Sequence, residues 1–252
     1  MDANAYQQFL ELERDHWWFR SRRTLYFDLL ARAVAREPGS FAHVLDLGCG
    51  MGGMMEGLRR YGEPQGLEIE ASGVRICRER GFHRAYVGSG YSLPHASASL
   101  DLVTAFDTIE HIEDDERALR ECARALRPGG VFMATVPAYQ FLYANNDRVA
   151  HHFRRYTRGE LVAKARRAGF EVRKATYVNT LLFPLILPAV LALKCKERLF
   201  GRPGDDTTNL SFRLPRFVSA SLEAIFSGER FPLRWVSFPC GHSLAMIAVK
   251  RG

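Results

Sequence analysis

The chain has 252 residues, 47% of them hydrophobic, and a net charge of +7, with an isoelectric point near 9.3. That length buries a sizeable core without staples, and the five scattered cysteines (Cys49, Cys77, Cys122, Cys195, Cys240) include no CxxC pair, which argues against a disulfide framework or zinc ribbon and for a reducing, cytoplasmic setting. The basic balance admits an anionic substrate, a membrane surface or nucleic acid, but no RNA-module signature or basic helix with heptads accompanies it, and no nucleic-acid partner is expected.

In chain order, MDANAYQQFLELERDHWW is polar and acidic and lacks the apolar stretch of a signal peptide. Residues 1–37 carry apolar positions at helical spacing and are predicted as a helical cap that stops at Pro38-Gly39. FAHVLDLG is a strand, GMMEGLRRYG a helix, PQGLEIE a strand, SGVRICRERG a helix, and HRAYVGSG a third strand. LDLVTAFDTIEHI is a fourth strand running into a loop, EDDERALRECARALRPGG a helix with a Pro-Gly stop, and VFMATVP a fifth strand. Strict alternation of this kind predicts a parallel sheet with helices on both faces. From Ala138 to Glu160 the texture becomes that of a long polar-aromatic loop; ELVAKARRAGF is a helix, EVRKATYVNT a sixth strand, and SLAMIAVK an alternating apolar strand.

The chemistry is concentrated at VLDLGCGMGG. Gly48, Gly50 and Gly52 follow a strand and open a helix, so the backbone is free to turn tightly and approach a ligand. The glycines alone would also suit a dinucleotide. Asp46, at the strand end, weighs against a pyrophosphate there and for a ligand carrying an ammonium. Glu68, at the end of the second strand, is placed to accept from ribose hydroxyls. A nucleoside with a ribose diol and a cationic amino-acid tail meets both, and S-adenosylmethionine is such a molecule.

VLDLGCGMGG, LEIE, LDLVTAFDTIEHI and LRPGGVFMATVP, in that order, resemble the motifs of class I S-adenosylmethionine-dependent methyltransferases over residues 41–137. The resemblance implies an α/β, Rossmann-like, seven-stranded and mostly parallel sheet whose last strand is antiparallel, with an N-terminal helical cap and an apolar insertion before that strand. It implies one methyltransferase domain over 1–252: cap 1–37, core 41–177, insertion 178–236, final strand 237–252. It also implies that Asp46 and Gly48 lie by the methionine moiety, that Glu68 binds the ribose, that Asp107 lies near the sulfonium, and that Cys49, Gly50, Gly52 and Ile69 are further cofactor contacts. Many relatives carry an aspartate for the adenine amino group after the third strand; here Ser89 and Gly90 stand in that region, with backbone groups of Gly90 and Tyr91 available. The stretch DHWWFRSRR resembles an HWWF…R signature of a bacterial methyltransferase subgroup of the type 11/12 kind.

The outer segments extend this reading. Trp18 and its neighbours form an aromatic cap that would shed water from a sulfonium, and Arg22, with Arg20 or Arg23, could meet the cofactor carboxylate. The loop NDRVAHHFRRYT follows the fifth strand, where loops of open α/β sheets line the ligand crevice. His152, then His151, is the expected general base, with Asp107 and Tyr156 also assigned to catalysis. His111, Asp147, Arg155 and Tyr156 are the expected substrate contacts. The same residues could equally knit the loop together. No metal is expected, since adjacent histidines point apart.

TLLFPLILPAVLAL has 14 residues without a charge, too short to span a membrane, and it is interrupted by Pro184 and Pro188 and flanked by Lys194, Lys196 and Arg198. It is predicted as a lid over an apolar substrate or a homodimer surface, with peripheral membrane contact as the alternative. GRPGDDTTNLSFRLP is predicted to be a mobile loop. The function expected is transfer of a methyl group to a small-molecule or lipid- or sugar-linked acceptor. The alternatives are a non-catalytic cofactor-binding scaffold and an NAD-linked oxidoreductase, which Asp46 disfavours; no Asn/Asp-Pro-Pro-Tyr motif of nucleic-acid methylation follows the fourth strand.

Overall fold

The computed structural model describes residues 12–34, 41–200 and 214–252. Its elements, numbered here in chain order, are α1 (Trp17–Ala33), β1 (Val44–Leu47), α2 (Met55–Leu58), β2 (Pro64–Glu68), α3 (Ala71–Glu79), β3 (Ala85–Val87), β4 (Leu100–Phe106) and α4 (Asp115–Ala125). There follow β5 (Leu126–Pro137), α5 (Asn145–Val149), α6 (Arg158–Arg167), β6 (Phe170–Val178), α7 (Phe183–Phe200), α8 (Arg216–Gly228) and β7 (Ser243–Lys250).

The seven strands form one sheet in the order β3-β2-β1-β4-β5-β7-β6, with β7 antiparallel to both neighbours and the other pairs parallel. This is the Rossmann-like arrangement expected, antiparallel last strand included. β1 and β4 are buried along their whole length, as strands covered on both faces must be, which is why they are continuous apolar runs in the sequence. One face packs Leu119 and Cys122 of α4 and Leu161 and Ala165 of α6 against Phe132, Phe170 and Met246. The other packs Leu25, Tyr26, Phe27, Leu29 and Leu30 of α1, with Phe226 of α8, against Leu102, Met133, Ala245 and Ile247. The cap helix is thus one of the two helical layers.

Local chemistry fixes several boundaries. His16 caps α1, its Nδ1 accepting from the Trp18 N–H at 3.3 Å, so the predicted N-terminal helix is broken just before the tryptophans. The rest of that prediction, 1–11 and 35–37, lies outside the described residues. Thr157 and Glu160 form a reciprocal capping box that starts α6. Other limits differ from expectation. The helix before β5 ends at Ala125, not at the Pro-Gly pair: Leu126 already pairs with Leu100, and the register shifts across Arg127–Gly130 before Val131 pairs with Leu102. The long polar loop contains α5 and a 3₁₀ turn at Gln140–Leu142, and the insertion contains α8, whose alternating apolar positions the sequence reading passed over. Of the predicted mobile loop, 201–213 lies outside the described residues.

α7 takes up the apolar run and continues to Phe200, with Pro188 inside it. None of its residues lines the cavity described below, so it is not a lid over that cavity. It leans instead on the loop after β5, through Lys194 Nζ donating to Phe141 O (2.6 Å) and an Arg148–Glu197 ion pair (2.7 Å). Leu181, just before it, and Leu185, Leu191, Leu193 and Leu199 within it are exposed. No helix among the described residues is long and apolar enough to cross a membrane.

Candidate active site

The carboxyl ends of β1, β2 and β4 open onto a cavity of about 770 Å³. Its wall takes Asp46, Gly48, Cys49 and Gly50 from the first turn, Glu68 and Ile69 from the second, Ser89, Gly90 and Tyr91 from the third, and Asp107, Thr108 and His111 from the fourth. Arg22 and Phe19 of α1 close one side, and His151 and Phe153 of the loop after β5 close another.

The glycine turn is shaped by close approach. Gly48 has φ +68°, and a Cβ there would lie 2.3 Å from Thr108 Cγ2, so no side chain fits. Thr108 Oγ1 donates to Leu47 O at 3.0 Å, locking the two turns together. Gly50 has φ +54° and meets nothing within 4 Å where its Cβ would be; the space beside it is the cavity. Gly52, expected at the cofactor, is not on the wall: its side faces Cys77 Sγ and Phe82, both at 3.2 Å from a Cβ built there, so it serves helix–strand packing.

Glu68 is held rigidly. Oε2 accepts from Gly50 N (2.9 Å), and Oε1 from Ile69 N (2.8 Å) and Glu70 N (3.1 Å), which leaves a lone pair on Oε2 for a hydroxyl. Asp46 is buried and accepts a 2.7 Å bond from Thr104 Oγ1. Burial pushes its carboxyl up to about 7, with Thr104 opposing and the Glu68 carboxylate adding to the rise. An ammonium group beside it would hold it ionised. A buried carboxylate on the wall, a fixed carboxylate at the next strand and an open Cβ position at Gly50 together fit the amino-acid tail and ribose of S-adenosylmethionine. Ser89 Oγ accepts from Tyr91 N at 3.2 Å and thereby shapes the third turn. Ile69 is 69% exposed and offers an apolar edge beside it.

Asp107 and Arg22 form an ion pair between the β4 turn and the cap helix, and Arg22 Nε, buried, has no hydrogen-bond partner. Asp107 (φ 46°) and His151 (φ 58°), both on the wall, hold left-handed backbone, which costs a non-glycine residue about 1 kcal/mol or more.

The loop residues are sorted differently from expectation. His151 and His111 are on the wall; His152 is not, and its Nδ1 is bonded to Asp147 (2.9 Å) while its ring lies edge-on to His111, centroids 4.5 Å apart. Burial, then the neighbouring His152, push His111 down to about 4, so it is neutral at working pH. Asp147, assigned to substrate, is fully buried; it binds Arg155 Nε (2.8 Å), His152 and Ala144 N (2.9 Å). Burial alone would raise its carboxyl, but the bonds from His152 and Arg155 win and hold it down to about 2. Arg155 is equally committed, to Asp147 and to Ala138 O (3.2 Å). Tyr156, assigned to catalysis and substrate, is 1% exposed on the far side of the sheet, and its hydroxyl donates to Asp115 at 2.7 Å. Burial and the Asp115 carboxylate push its phenol well above the ordinary range, so it is a structural donor. Trp18, too, is off the wall, packed against Phe226 and edge-on to His242. None of Trp18, Asp147, Arg155 and Tyr156 lines the cavity; the three loop residues satisfy their polar groups within the packed loop and the neighbouring helix, and Trp18 packs on α8. Conversely, Thr108 and the buried Glu110 were not singled out, although both sit in the quoted DTIEHI.

Residues 45–134 match the family profile described as a methyltransferase domain. A Mycolicibacterium smegmatis protein named a probable S-adenosylmethionine-dependent methyltransferase is 32% identical over 166 residues, 64% of this chain and 62% of that protein. The ubiquinone biosynthesis O-methyltransferase of Cupriavidus pinatubonensis is 27% identical over 211 residues, 70% of this chain and 82% of that protein. Two Mycobacterium tuberculosis relatives are matched over 45% of their length, so the chain spans less than two thirds of the first curated relatives it resembles. Among solved structures, a phosphoethanolamine N-methyltransferase 2 from Haemonchus contortus, crystallised with S-adenosyl-L-methionine, superposes with a TM-score of 0.56 at 18% identity, covering 89% of this chain and 52% of that one.

Proposed function

We propose that this chain, which carries a methyltransferase domain of the class I S-adenosylmethionine-dependent family and takes S-adenosylmethionine as its cofactor, is an enzyme that transfers a methyl group to a hydroxyl-bearing small-molecule or lipid-linked acceptor. The observation that carries the reading is that one cavity is walled both by the cofactor-type residues Asp46, Gly50 and Glu68 and by the polar groups His111, His151 and Asp107. On this reading donor and acceptor share one cavity, as in-line transfer requires.

When bound, the cofactor supplies an electrophilic methyl carbon on a sulfonium. Asp46 receives the ammonium and becomes fully ionised. Glu68 Oε2 accepts from a ribose hydroxyl. Arg22, reaching from α1, meets the carboxylate end and, with Asp107, fastens the cap over the cavity. The proton of the acceptor hydroxyl passes to the imidazole of His151, the loop histidine on the wall. The rate gain comes chiefly from holding acceptor and methyl carbon in line, with proton removal adding to it. Two relatives' names, ubiquinone biosynthesis O-methyltransferases of Cupriavidus pinatubonensis and Parvibaculum lavamentivorans, support an oxygen acceptor. The exposed leucines of α7, with Lys194, Lys196 and Arg198 at its end, support an acceptor that carries an apolar tail or sits in a membrane interface. We read the cap, core, insertion and final strand as one domain, because α1 and α8 complete the core of the sheet.

The test is thermal stabilisation of the purified chain by S-adenosylhomocysteine beside NADH, followed by labelled-methyl transfer to a panel of phenols, catechols and polyprenylated phenols. A ligand at a hundredfold excess over its Kd stabilises by about 2.7 kcal/mol. Stabilisation by S-adenosylhomocysteine, lost in Asp46→Ala and Glu68→Ala, is expected; a shift with NADH alone overturns the reading.

A further inference from the structure

Glu110 sits in the 3₁₀ turn Ile109–His111, at the end of β4, and is completely buried. Neither of its carboxylate oxygens has a hydrogen-bond partner, although its backbone carbonyl accepts from Phe153 N at 2.8 Å and ties the turn to the histidine loop. A buried carboxyl group without partners is costly, and native folds keep one where something else satisfies it. Two imidazoles face it: His111, next in the chain, and His152, brought from the loop after β5. Ligand atoms of Glu110, His111 and His152 all lie within 4.8 Å of one another.

We propose that Glu110, His111 and His152 bind one divalent first-row transition-metal ion at the wall of the cavity. Three observations converge on it. The donor set of two imidazoles and one carboxylate is that of open metal sites, in which the remaining coordination positions are left to water or substrate. Donor atoms about 2.0–2.2 Å from a common ion lie roughly 3–4 Å apart, so the cluster needs only a small closure. The outer shell is already built. His152 gives Nδ1 to Asp147 at 2.9 Å, which leaves Nε2 to ligate, and Asp147 is itself fixed by Arg155 and Ala144 N. This gives the buried Asp147–Arg155–His152 network a purpose that substrate contact does not.

His111, alone of the three, lines the cavity, which places the ion at the cavity's edge. The ion would take an acceptor hydroxyl or vicinal diol and lower its pKa. This acceptor role rests on the methyltransferase reading; ion binding itself does not.

The experiment uses the whole chain, stripped with a chelator and titrated with Mn²⁺ and Zn²⁺ by calorimetry, with metal content measured after dialysis. The wild type is expected to take one ion per chain. Glu110→Gln and His152→Ala are expected to bind at least a hundredfold more weakly, and Asp147→Asn about 10–100-fold more weakly. Thermal stabilisation by S-adenosylhomocysteine, measured on each variant, verifies its fold. The proposal is overturned if the stripped wild type takes no stoichiometric ion, or if Glu110→Gln and His152→Ala bind as tightly as the wild type. Ion binding without any response to S-adenosylhomocysteine would sink the methyltransferase reading and leave the ion site standing; the opposite pair of results would do the reverse.

Discussion

Asparagine at position 46 removes a charge that the empty fold tolerates poorly and that, on the proposed reading, the cofactor's ammonium needs. Burial holds the Asp46 carboxyl at about 7 instead of 3.8. The folded protein therefore keeps this proton where the unfolded chain releases it. The neutral form is what the fold favours, so stability associated with Asp46 is fully present below about pH 4 and is lost as pH rises through about 7. The rise corresponds to roughly 4 kcal/mol at most, an upper figure because relaxation and water entry reduce it. Ligand binding has the opposite sign. An ammonium prefers the carboxylate, about 10% populated near pH 6 and about 90% near pH 8, so affinity for S-adenosylhomocysteine should rise about ninefold over that interval, or roughly 1.3 kcal/mol. The ligand's own amino group stays protonated throughout. Calorimetric titration at pH 6, 7 and 8 should show this rise in the wild type. In Asp46→Asn binding should be weak and flat with pH, while the unliganded variant melts at a higher temperature than the wild type at pH 8. A ninefold rise retained in the variant, or no rise in the wild type, would refute the assignment of Asp46 to the ammonium.

Other expectations concern single contacts. Gly48→Ala places a methyl group 2.3 Å from Thr108 at a left-handed φ, so it should abolish the stabilisation by S-adenosylhomocysteine and lower the unfolding free energy by about 2 kcal/mol or more, read by urea denaturation. Tyr156→Phe removes a buried bond to Asp115, which Lys164 still holds at 2.7 Å; it should cost about 1–3 kcal/mol of stability and leave kcat unchanged, whereas a large fall in kcat with intact stability would restore Tyr156 to the chemistry. Asp147, held down to about 2, contributes roughly 2 kcal/mol above about pH 4 that is lost as pH falls through 2; Asp147→Asn should flatten acid unfolding in this window and cost about 3–5 kcal/mol near neutrality. Aspartate at Leu185 and Leu199 should end co-sedimentation with anionic vesicles if α7 meets a membrane, and cofactor binding should be unaffected.

The sheet and the glycine turn were legible because their signals are local. Gly48 and Gly50 need φ above zero, β1 needs an apolar run, and Asp46 and Glu68 stand at strand ends, so spacing alone brings them together. The acceptor side was not legible in the same way. His151 and His152 are adjacent in sequence, yet one lies on the wall and the other turns to Asp147, because a left-handed residue at 151 reverses the chain between them. Trp18, Arg155 and Tyr156 are residue types that active sites favour, but their partners (Phe226, Asp147, Asp115) come from distant segments and could not be named from pattern. Glu110 was passed over since nothing in a single sequence marks a carboxylate as buried. α7 was located by composition, but its seat on the loop after β5, off the cavity wall, depends on Lys194 and Glu197 finding Phe141 O and Arg148.

The contact between α1 and α8 has a consequence for how the protein is made. Ser21 Oγ donates to Glu223 O, and Arg20 pairs with Glu223, across some two hundred intervening residues. Arg22, on the same helix, is therefore not settled over the cavity until a segment near the far end of the chain has left the ribosome. β1 to β5 can pair among themselves during synthesis, since those partners are at most about 60 residues apart, but β5 must wait for β7 and closing the largest loop is slow. Cofactor affinity should accordingly be the last property a nascent chain acquires. Translation stalled before α8 would yield a sheet-containing intermediate in which α1 can pack Tyr26 and Phe27 on Phe106 but leaves Trp18 without Phe226, a natural target for chaperones.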